Sequence, residues 1–552
     1  MAYAEVSGTP LCILSIDFTE AFDRISHDYL FELLRKHGFS ERFRQRLRNI
    51  YSNATSAIQI NGFRSKPIPI NCAVRQGCPL SMVLYAFCLN PLLCTLDKHL
   101  TGLSMGRRHV RTSVIAYADD VTILVTSPSD IPKIQDALRC YEEATGARVN
   151  TGKSRAIAIG SWDASLRIMD IPYQDEAKIL GLHITTTVQA SAIRSWTLTT
   201  ARIRACAQEA YYRNLSLDKR VQYVHDHLMA RVWYMAQIYP PPDMCMRQLN
   251  SSIAWFLWRG DIFRVPLSTM QRRKDEGGWE LKHLTAKSHA LFLNRMREQR
   301  TRQGTVTAEW MRRWGLTGTS QNPPDRDRIP ATMDYLRRYA VDSAYVAERG
   351  PTESQKGYKR RVYDTLHHIS RMEVEPREMR VTTIWQTTDW SSVWKNLAET
   401  PVAGEKKAAW YKVIHDIIPT NERLHRIRIA PTDKCRHCDR QDTILHRLTE
   451  CGDGERIWKW TRQRLAHVLR TIPGRIPSEW LLRPHFTLWP PTRRRAVQWI
   501  LANLVFFRTQ MQRELTLHDL MDFMKRTKWK MYQRKNRREC VANYLLVIDT
   551  ER

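Results

Sequence analysis

SVIAYADDVTILV, residues 113–125, decides how the rest of this chain is read. Two β-rich halves meet at Asp119-Asp120, which predicts a hairpin with adjacent acids at its turn. LCILSID (11–17) is a second apolar run of strand length, and it ends on Asp17. If these strands lie side by side, Asp17, Asp119 and Asp120 converge at one end of a sheet. Carboxylates gathered in this way relieve their repulsion by binding hard cations. Mg²⁺ suits them, because it takes oxygen ligands and keeps places for water and substrate phosphates. Two such ions about 3.5–4 Å apart can activate an attacking hydroxyl and stabilise a leaving pyrophosphate. Asp-Asp between β-rich segments is also ordinary turn chemistry, so the pair alone leaves both readings open.

Outward from these strands the pattern alternates. HDYLFELLRKHGF (27–39) has helical spacing, with Ser26 as N-cap and Gly38 as stop. SAIQING (56–62) reads as a strand ending at an Asn-Gly turn. The apolar run from Ser81 reads as a helix interrupted at Pro91. ARVNTGKSRAIAIG and KILGLHIT add short strands, and the mixture predicts an α+β sheet domain for residues 10 to about 185. From about 190 to 300 the strand signal is gone, and two helices flank a Ser216 N-cap. TGTSQNPPDRDRIP (317–330) is rich in turn formers and reads as a linker. Residues 335 to 430 read as helical, with basic runs such as KGYKRR (356–361). The C-terminal region is helical in pattern, and KRTKWKMYQRKNRR (525–538) interleaves basic and aromatic residues.

The chain has 552 residues, 86 Lys+Arg against 56 Asp+Glu, and a formal charge of +30. With 43% hydrophobic and 9% aromatic residues it can build real cores, which excludes wholesale disorder. The longest apolar stretches, Ser81–Leu96 and Ala496–Phe507, fall short of the roughly 18–20 residues that span a bilayer. Twelve cysteines are too dilute for a disulfide scaffold and suggest a reducing compartment. A field this positive favours a polyanionic partner, with nucleic acid as the first choice.

Cys435-x2-Cys438-x7-His446-x4-Cys451 supplies four soft or borderline ligands within 17 residues. Zn²⁺ prefers tetrahedral thiolate and imidazole coordination, and a closed set of four implies a structural site. So short a segment is expected to take its folding energy from the metal. His437, inside the CxxC, is not read as a ligand. Arg436, Arg440 and Arg447 flank the set and suit phosphate contact. The tail at 525–538 could likewise stack on and neutralise RNA or DNA.

AYADDVTILV resembles the signature of a reverse transcriptase palm, and the order of the surrounding segments agrees. SIDFTEAFDRISHDYL resembles the first acidic motif of non-LTR (LINE-type) retrotransposon polymerases. RQGCPLSMVLYAFCLNPLL resembles their second motif, ARVNTGKS their fourth, and ILGLHI the primer-grip segment. GGWELKHLTAKSHALFLNRM (277–296) resembles the segment after the thumb, and residues 419–451 the C-terminal zinc-knuckle region. The likeness runs from residue 11 to about 460.

The resemblance implies Asp17 and Asp119 as the main Mg²⁺ ligands of a two-ion site, with Asp120 beside them and the Phe18 carbonyl as a further oxygen. It implies Phe22 as the aromatic gate that strikes a ribose 2′-hydroxyl, and Gln76 and Gly77 as the loop under template and incoming nucleotide. It implies Lys153 as the group that protonates the leaving pyrophosphate, which is general-acid work. The implied architecture is a right-hand polymerase with a ferredoxin-like palm sheet. Its parts would be a palm at 1–185, helical thumb and post-thumb at 186–300, linker and helices at 301–430, a zinc knuckle at 431–460 holding one Zn²⁺, and a basic helical region at 461–552. The implied partners are an RNA template, a DNA primer or target and deoxynucleoside triphosphates, with action inside the cell, in cytoplasm and nucleus. Met82 departs from the proline usual after RQGCPLS. Only ten residues precede the first acidic strand, so most of the fingers and the upstream endonuclease are expected to be missing, and polymerisation to be poor. Two alternatives stand beside this reading, a catalytically silent nucleic-acid-binding remnant and a group II intron maturase-like reverse transcriptase.

Overall fold

The computed structural model describes residues 1–301, 353–372, 389–484, 489–510 and 516–533, apart from 53, 71, 76–77 and 106–109. The linker read at 317–330, and the part of the basic tail beyond 533, lie outside the described residues. The chain forms two compact units, one of Met1–Leu198, Met235–Pro242 and Leu291–Gln355, the other of Thr199–Tyr234, Asp243–Ala290 and Lys356–Arg552.

In the first unit LCILSI forms β1 (Leu11–Ile16), followed by α1 (His27–Lys36), α2 (Glu41–Tyr51) and α3 (Ser81–His99). Then come β2 (Val114–Tyr117), β3 (Asp120–Val125), α4 (Asp130–Thr145) and β4 (Arg155–Ile159). The sheet order is β4-β1-β3-β2, with antiparallel neighbours throughout. This is the ferredoxin-like arrangement expected for the α+β domain. Successive side chains of a strand point to opposite faces, and β1 is buried on both. Cys12, Leu14 and Ile16 join Val121, Ile123, Val125 and the inner faces of α1, α3 and α4. Leu11 and Ile13 join Ile157, Ile159 and Ala177 on the other side. That double burial is why β1 reads as a continuous apolar run rather than an alternating one.

Local signals explain most boundaries. Ser26 caps α1 by accepting from the Tyr29 N–H, and Gly38 follows the helix at φ +77°. The ribbon after α2 pairs Thr55 with Pro69 and Ile60 with Phe63. Its turn, Asn61-Gly62, has φ of 51° and 88°, the two positive values a type I′ hairpin demands. A second hairpin, β5 (Glu176–Ile179) and β6 (Leu182–Thr185), turns through Leu180-Gly181 in the same way.

The expected break at Pro91 is absent. α3 runs unbroken through it, because Cys88, Leu89, Leu92 and Leu96 are all buried on either side and hold the helix despite one missing donor. Ser216 stands where the N-cap was expected, before Leu217–Tyr223, but its hydroxyl donates to Asp218 Oδ1 instead of accepting from the helix backbone.

After β6 the described secondary structure is helical. It comprises α5 (Val188–Tyr211), a run at 217–236 with a π-turn at Val224–Met229, α6 (Asp243–Trp258) and α7 (Gln355–Met372), which carries KGYKRR. The second unit adds α8 (Trp390–Glu399), α9 (Gly404–Ile414), α10 (Asp453–Leu469), α11 (Pro491–Gln510) and α12 (Leu517–Gln533). Its core explains the Gly277-Gly278 pair. Gly277 sits at φ +81°, where a Cβ would lie 2.5 Å from the Trp394 indole, and a Cβ on Gly278 would lie 1.9 Å from the Arg272 carbonyl oxygen. The Tyr411 hydroxyl donates to the Gly277 carbonyl at 2.6 Å. The glycines are there so that α8 and α9 can close on this turn. No helix among the described residues is long and apolar enough to cross a membrane.

Candidate active site and metal centre

The hairpin expected at Asp119-Asp120 is present, with its turn one residue earlier. Tyr117 pairs with Asp120, so Ala118-Asp119 is the two-residue loop and Asp120 begins β3. Ala118 has φ +54°, a strained value for a residue with a Cβ and the one a II′-type turn requires at its first central position. That turn lifts Asp119 onto the tip. In the neighbouring ladder Ile16 faces Val121, so Asp17 leaves β1 beside the start of β3. The Asp120 carboxyl is pushed above its usual range, first by burial and then by the charges of Asp119 and Asp17. Three acids from two sequence-distant segments therefore share one field.

The backbone around Asp17 is pinned. Its N–H donates to Ser154 Oγ at 3.0 Å, and its carbonyl accepts from the Asn150 N–H at 2.8 Å. The Thr19 N–H donates to the Arg148 carbonyl at 2.8 Å. Phe18 and Val149 form the intervening pair, which in an antiparallel ladder is the non-hydrogen-bonded one. The Phe18 carbonyl therefore turns away from Val149, as a metal-binding oxygen must. Asn150 and Ser154 were not singled out from the sequence, although both lie inside ARVNTGKS. Lys153 lies on the same turn, its side chain exposed and its N–H bonded to the Asn150 carbonyl at 3.1 Å. Phe22 is half-buried, and its carbonyl accepts from the Val74 N–H at 2.8 Å. Gln76 and Gly77 fall outside the described residues. Met82 lies in the first turn of α3 with its side chain 52% exposed, so replacing proline there disturbs no packing.

In the second unit Cys435, Cys438, His446 and Cys451 bring their ligand atoms within 4.8 Å of one another. Cys435 Sγ lies 3.4 Å from Cys451 Sγ, and Cys438 Sγ lies 3.2 Å from His446 Nε2. Zn–S bonds of about 2.3 Å in a tetrahedron hold sulfurs about 3.8 Å apart, so the donor set fits the ion. Burial opposes the Cys435 thiolate. Hydrogen bonds from the His437 backbone and from His446, Cys451 and the Cys438 backbone prevail, and bring the thiol down to about 6. Burial and the neighbouring sulfurs Cys435 and Cys438 push Cys451 up to about 12. Such mutual repulsion is what a dication would relieve. Glu450 stands 3.5 Å from His446 Nδ1, on the side of the ring away from the sulfurs.

Two expectations for this segment change. The knuckle does not rely on metal alone, since Asn421 N–H donates to Asp442, Asn421 Nδ2 donates to the Lys434 carbonyl, and Ile444 and Leu448 are buried. Arg447 is committed to Asp442 and to the Pro419 carbonyl, which leaves it unsuited to phosphate. Arg436 and Arg440 remain exposed.

Residues 2–184 match the family model described as reverse transcriptase (RNA-dependent DNA polymerase). The chain is 27% identical over 315 residues to the transposon TX1 uncharacterized 149 kDa protein of Xenopus laevis, covering 56% of this chain and 24% of that protein. It is 25% identical over 189 residues to the retrovirus-related Pol polyprotein from the type-2 retrotransposable element R2DM of Drosophila melanogaster, covering 32% and 18%. The chain thus spans about a quarter or less of these relatives' lengths. Among solved structures it is similar to a chain from telomerase of Candida albicans in complex with a telomeric RNA fragment, at 12% identity and a TM-score of 0.29, covering 45% of this chain and 47% of that one. A likeness that loose carries no argument.

The shared field has a direct check. Asp119→Asn removes a negative neighbour, so the Asp120 carboxyl should titrate closer to its ordinary value, as read by ¹³C NMR of the side-chain carboxyls. An Asp120 titration identical to wild type would show that the acids do not converge.

Proposed function

We propose that this chain, whose residues 2–184 form a reverse transcriptase domain of the non-LTR retrotransposon type, copies RNA into DNA by extending a DNA 3′-end. The observation that carries the reading is the gathering of Asp17, Asp119 and Asp120 at one end of the β1–β3 ladder, inside the matched domain. Asp17, Asp119 and the Phe18 carbonyl would hold two Mg²⁺, with Asp120 beside them. The ions would supply charge stabilisation for the attacking hydroxyl and the departing pyrophosphate.

The chain's own groups have separate work. Asn150 and Ser154 fix the Asp17 backbone, so the ligand does not swing when the charge changes. Lys153, on the same turn, gives its proton to the leaving pyrophosphate. Phe22 excludes a 2′-hydroxyl by its bulk, which selects deoxynucleotides by clash with the competitor. The role proposed for Gln76 and Gly77, contact with the template and the incoming base, rests on the sequence motif alone. Residues 186–300 serve as thumb and post-thumb segment, and the +30 charge holds the phosphate backbone, so binding should weaken steeply with salt. Cys435, Cys438, His446 and Cys451 would hold one structural Zn²⁺, and the exposed Arg436 and Arg440 would present the knuckle to RNA or DNA.

On a primer–RNA duplex with Mg²⁺, the full chain should add deoxynucleotides slowly, and Asp119→Ala should lower even that rate by at least about 100-fold, the scale on which electrostatic stabilisers act. Extension that survives in Asp119→Ala would refute the assignment. Salt-sensitive duplex binding with no addition by wild type would instead favour the silent nucleic-acid-binding reading.

Purified chain should carry one zinc, and cobalt in its place should show thiolate-to-metal absorption. Cys438→Ser and His446→Ala should lose the metal while His437→Ala keeps it. Full metal content in Cys438→Ser would exclude the four-ligand site.

A further inference from the structure

Phe22 is placed by a second ring. Its side chain stacks on Tyr85, with centroids 4.5 Å apart and planes inclined by 25°. Tyr85 is 1% exposed and belongs to α3, whose neighbouring residues Leu84, Cys88 and Leu89 are also buried. The floor under Phe22 is therefore a ring fixed in the core. At the other end of the same loop Phe18 meets Tyr141 edge-on at 5.7 Å. The segment that joins Asp17 to Phe22 is thus braced at each end by a tyrosine from a packed helix. Its backbone is held as well, by the Val74 N–H on the Phe22 carbonyl, and just beyond it the Ala73 N–H donates to the Ile25 carbonyl.

A gate that works by contact must be placed finely. A ribose differs from a deoxyribose by one oxygen, so a ring free to retreat by about 0.5 Å loses much of its discrimination. With one face against Tyr85 and the carbonyl tied to Val74, Phe22 cannot withdraw toward the core. Tyr85 also feels the charge of Asp119. Burial raises its phenol above the usual range, and the Asp119 carboxylate adds to that, so the same side chain lies under the gate and within the field of the catalytic tip.

We propose that Tyr85 is the positioning residue of the sugar gate: its buried ring sets the depth and plane of the Phe22 ring, and through it the preference for deoxy over ribonucleotides. This rests on the polymerase reading above. The role needs the flat face more than the hydroxyl, so Tyr85→Phe preserves it and Tyr85→Leu does not.

The test compares the full-length chain with Tyr85→Phe and Tyr85→Leu, measuring kcat/KM for deoxy and ribonucleotide addition to the same primer–RNA duplex. Tyr85→Leu should lower the deoxy-to-ribo ratio by about tenfold, the scale of losing one shaped contact in a pocket. Tyr85→Phe should match wild type. A merely structural loss would reduce both substrates together and leave the ratio alone. Trypsin cleavage after Arg24, two residues beyond Phe22 and one-third exposed at 33%, reports the bracing without any chemistry. It should quicken in Tyr85→Leu and not in Tyr85→Phe. If Tyr85→Leu lacks a cooperative thermal transition, Tyr85→Met, whose unbranched side chain adapts to the space without offering a flat face, carries the same expectations. Unchanged ratio and unchanged cleavage in a folded variant would overturn the proposal. Wild type that adds no nucleotide would remove the polymerase reading and the gate with it, a result distinct from a wild type that polymerises with a ratio indifferent to Tyr85.

Discussion

The antiparallel pairing of β1 with β3 is the constraint on which the rest of the first unit depends. Its register, with Ile16 opposite Val121, brings Asp17 to the hairpin tip from about 100 residues away in sequence. A slip of one residue would turn every side chain of β1 to the opposite face. That slip is forbidden twice over, because Cys12, Leu14 and Ile16 are needed on one side and Leu11 and Ile13 on the other. Packing energy spread over the two faces thus sets the position of a carboxylate that contributes nothing to packing. The burial of Asp120 and the repulsion from Asp119 and Asp17, which together raise its carboxyl, are borne by this register and by the strained turn at Ala118.

Where a local rule decides, the fold was legible in the sequence. Ser26, Gly38 and Asn61-Gly62 act through their own backbone preferences: Ser26 starts its helix as read, and Gly38 and Asn61-Gly62 stand at the end of theirs. The strands beside the acids were legible as well, since their apolar runs are short and bounded. What escaped was set by tertiary context. Pro91 should break a helix on propensity, and buried neighbours on both sides kept α3 whole. The turn of the acidic hairpin moved by one residue, because pairing with Tyr117 of β2 places Asp120 inside the strand and pushes the loop back onto Ala118-Asp119.

The site divides in the same way. Asp17, Asp119 and the four knuckle residues could be named, because their chemistry demands particular side chains at particular spacings. The groups that hold them could not, since Ser154, Asn150 and Tyr85 act through contacts that no spacing encodes. Arg447 shows the converse. By composition it suits phosphate, yet it is used to anchor Asp442 and the Pro419 carbonyl beneath the knuckle. Gly277-Gly278 likewise proved to be a packing feature of the second unit, where Trp394 and the Arg272 carbonyl leave no room for a side chain.

Convergence of Asp17 and Asp119 on common divalent cations is most directly tested by Mn²⁺ titration, followed by electron paramagnetic resonance. The proteins compared are wild type, Asp17→Asn, Asp119→Asn and the double variant. Residues that share a ligand are strongly non-additive, with coupling of about 0.5–3 kcal/mol. Either single substitution should therefore abolish most of the tight binding, and the double variant should lose little more. Small, independent and additive losses would mean that the two carboxylates do not hold the same ions, and would contradict the site.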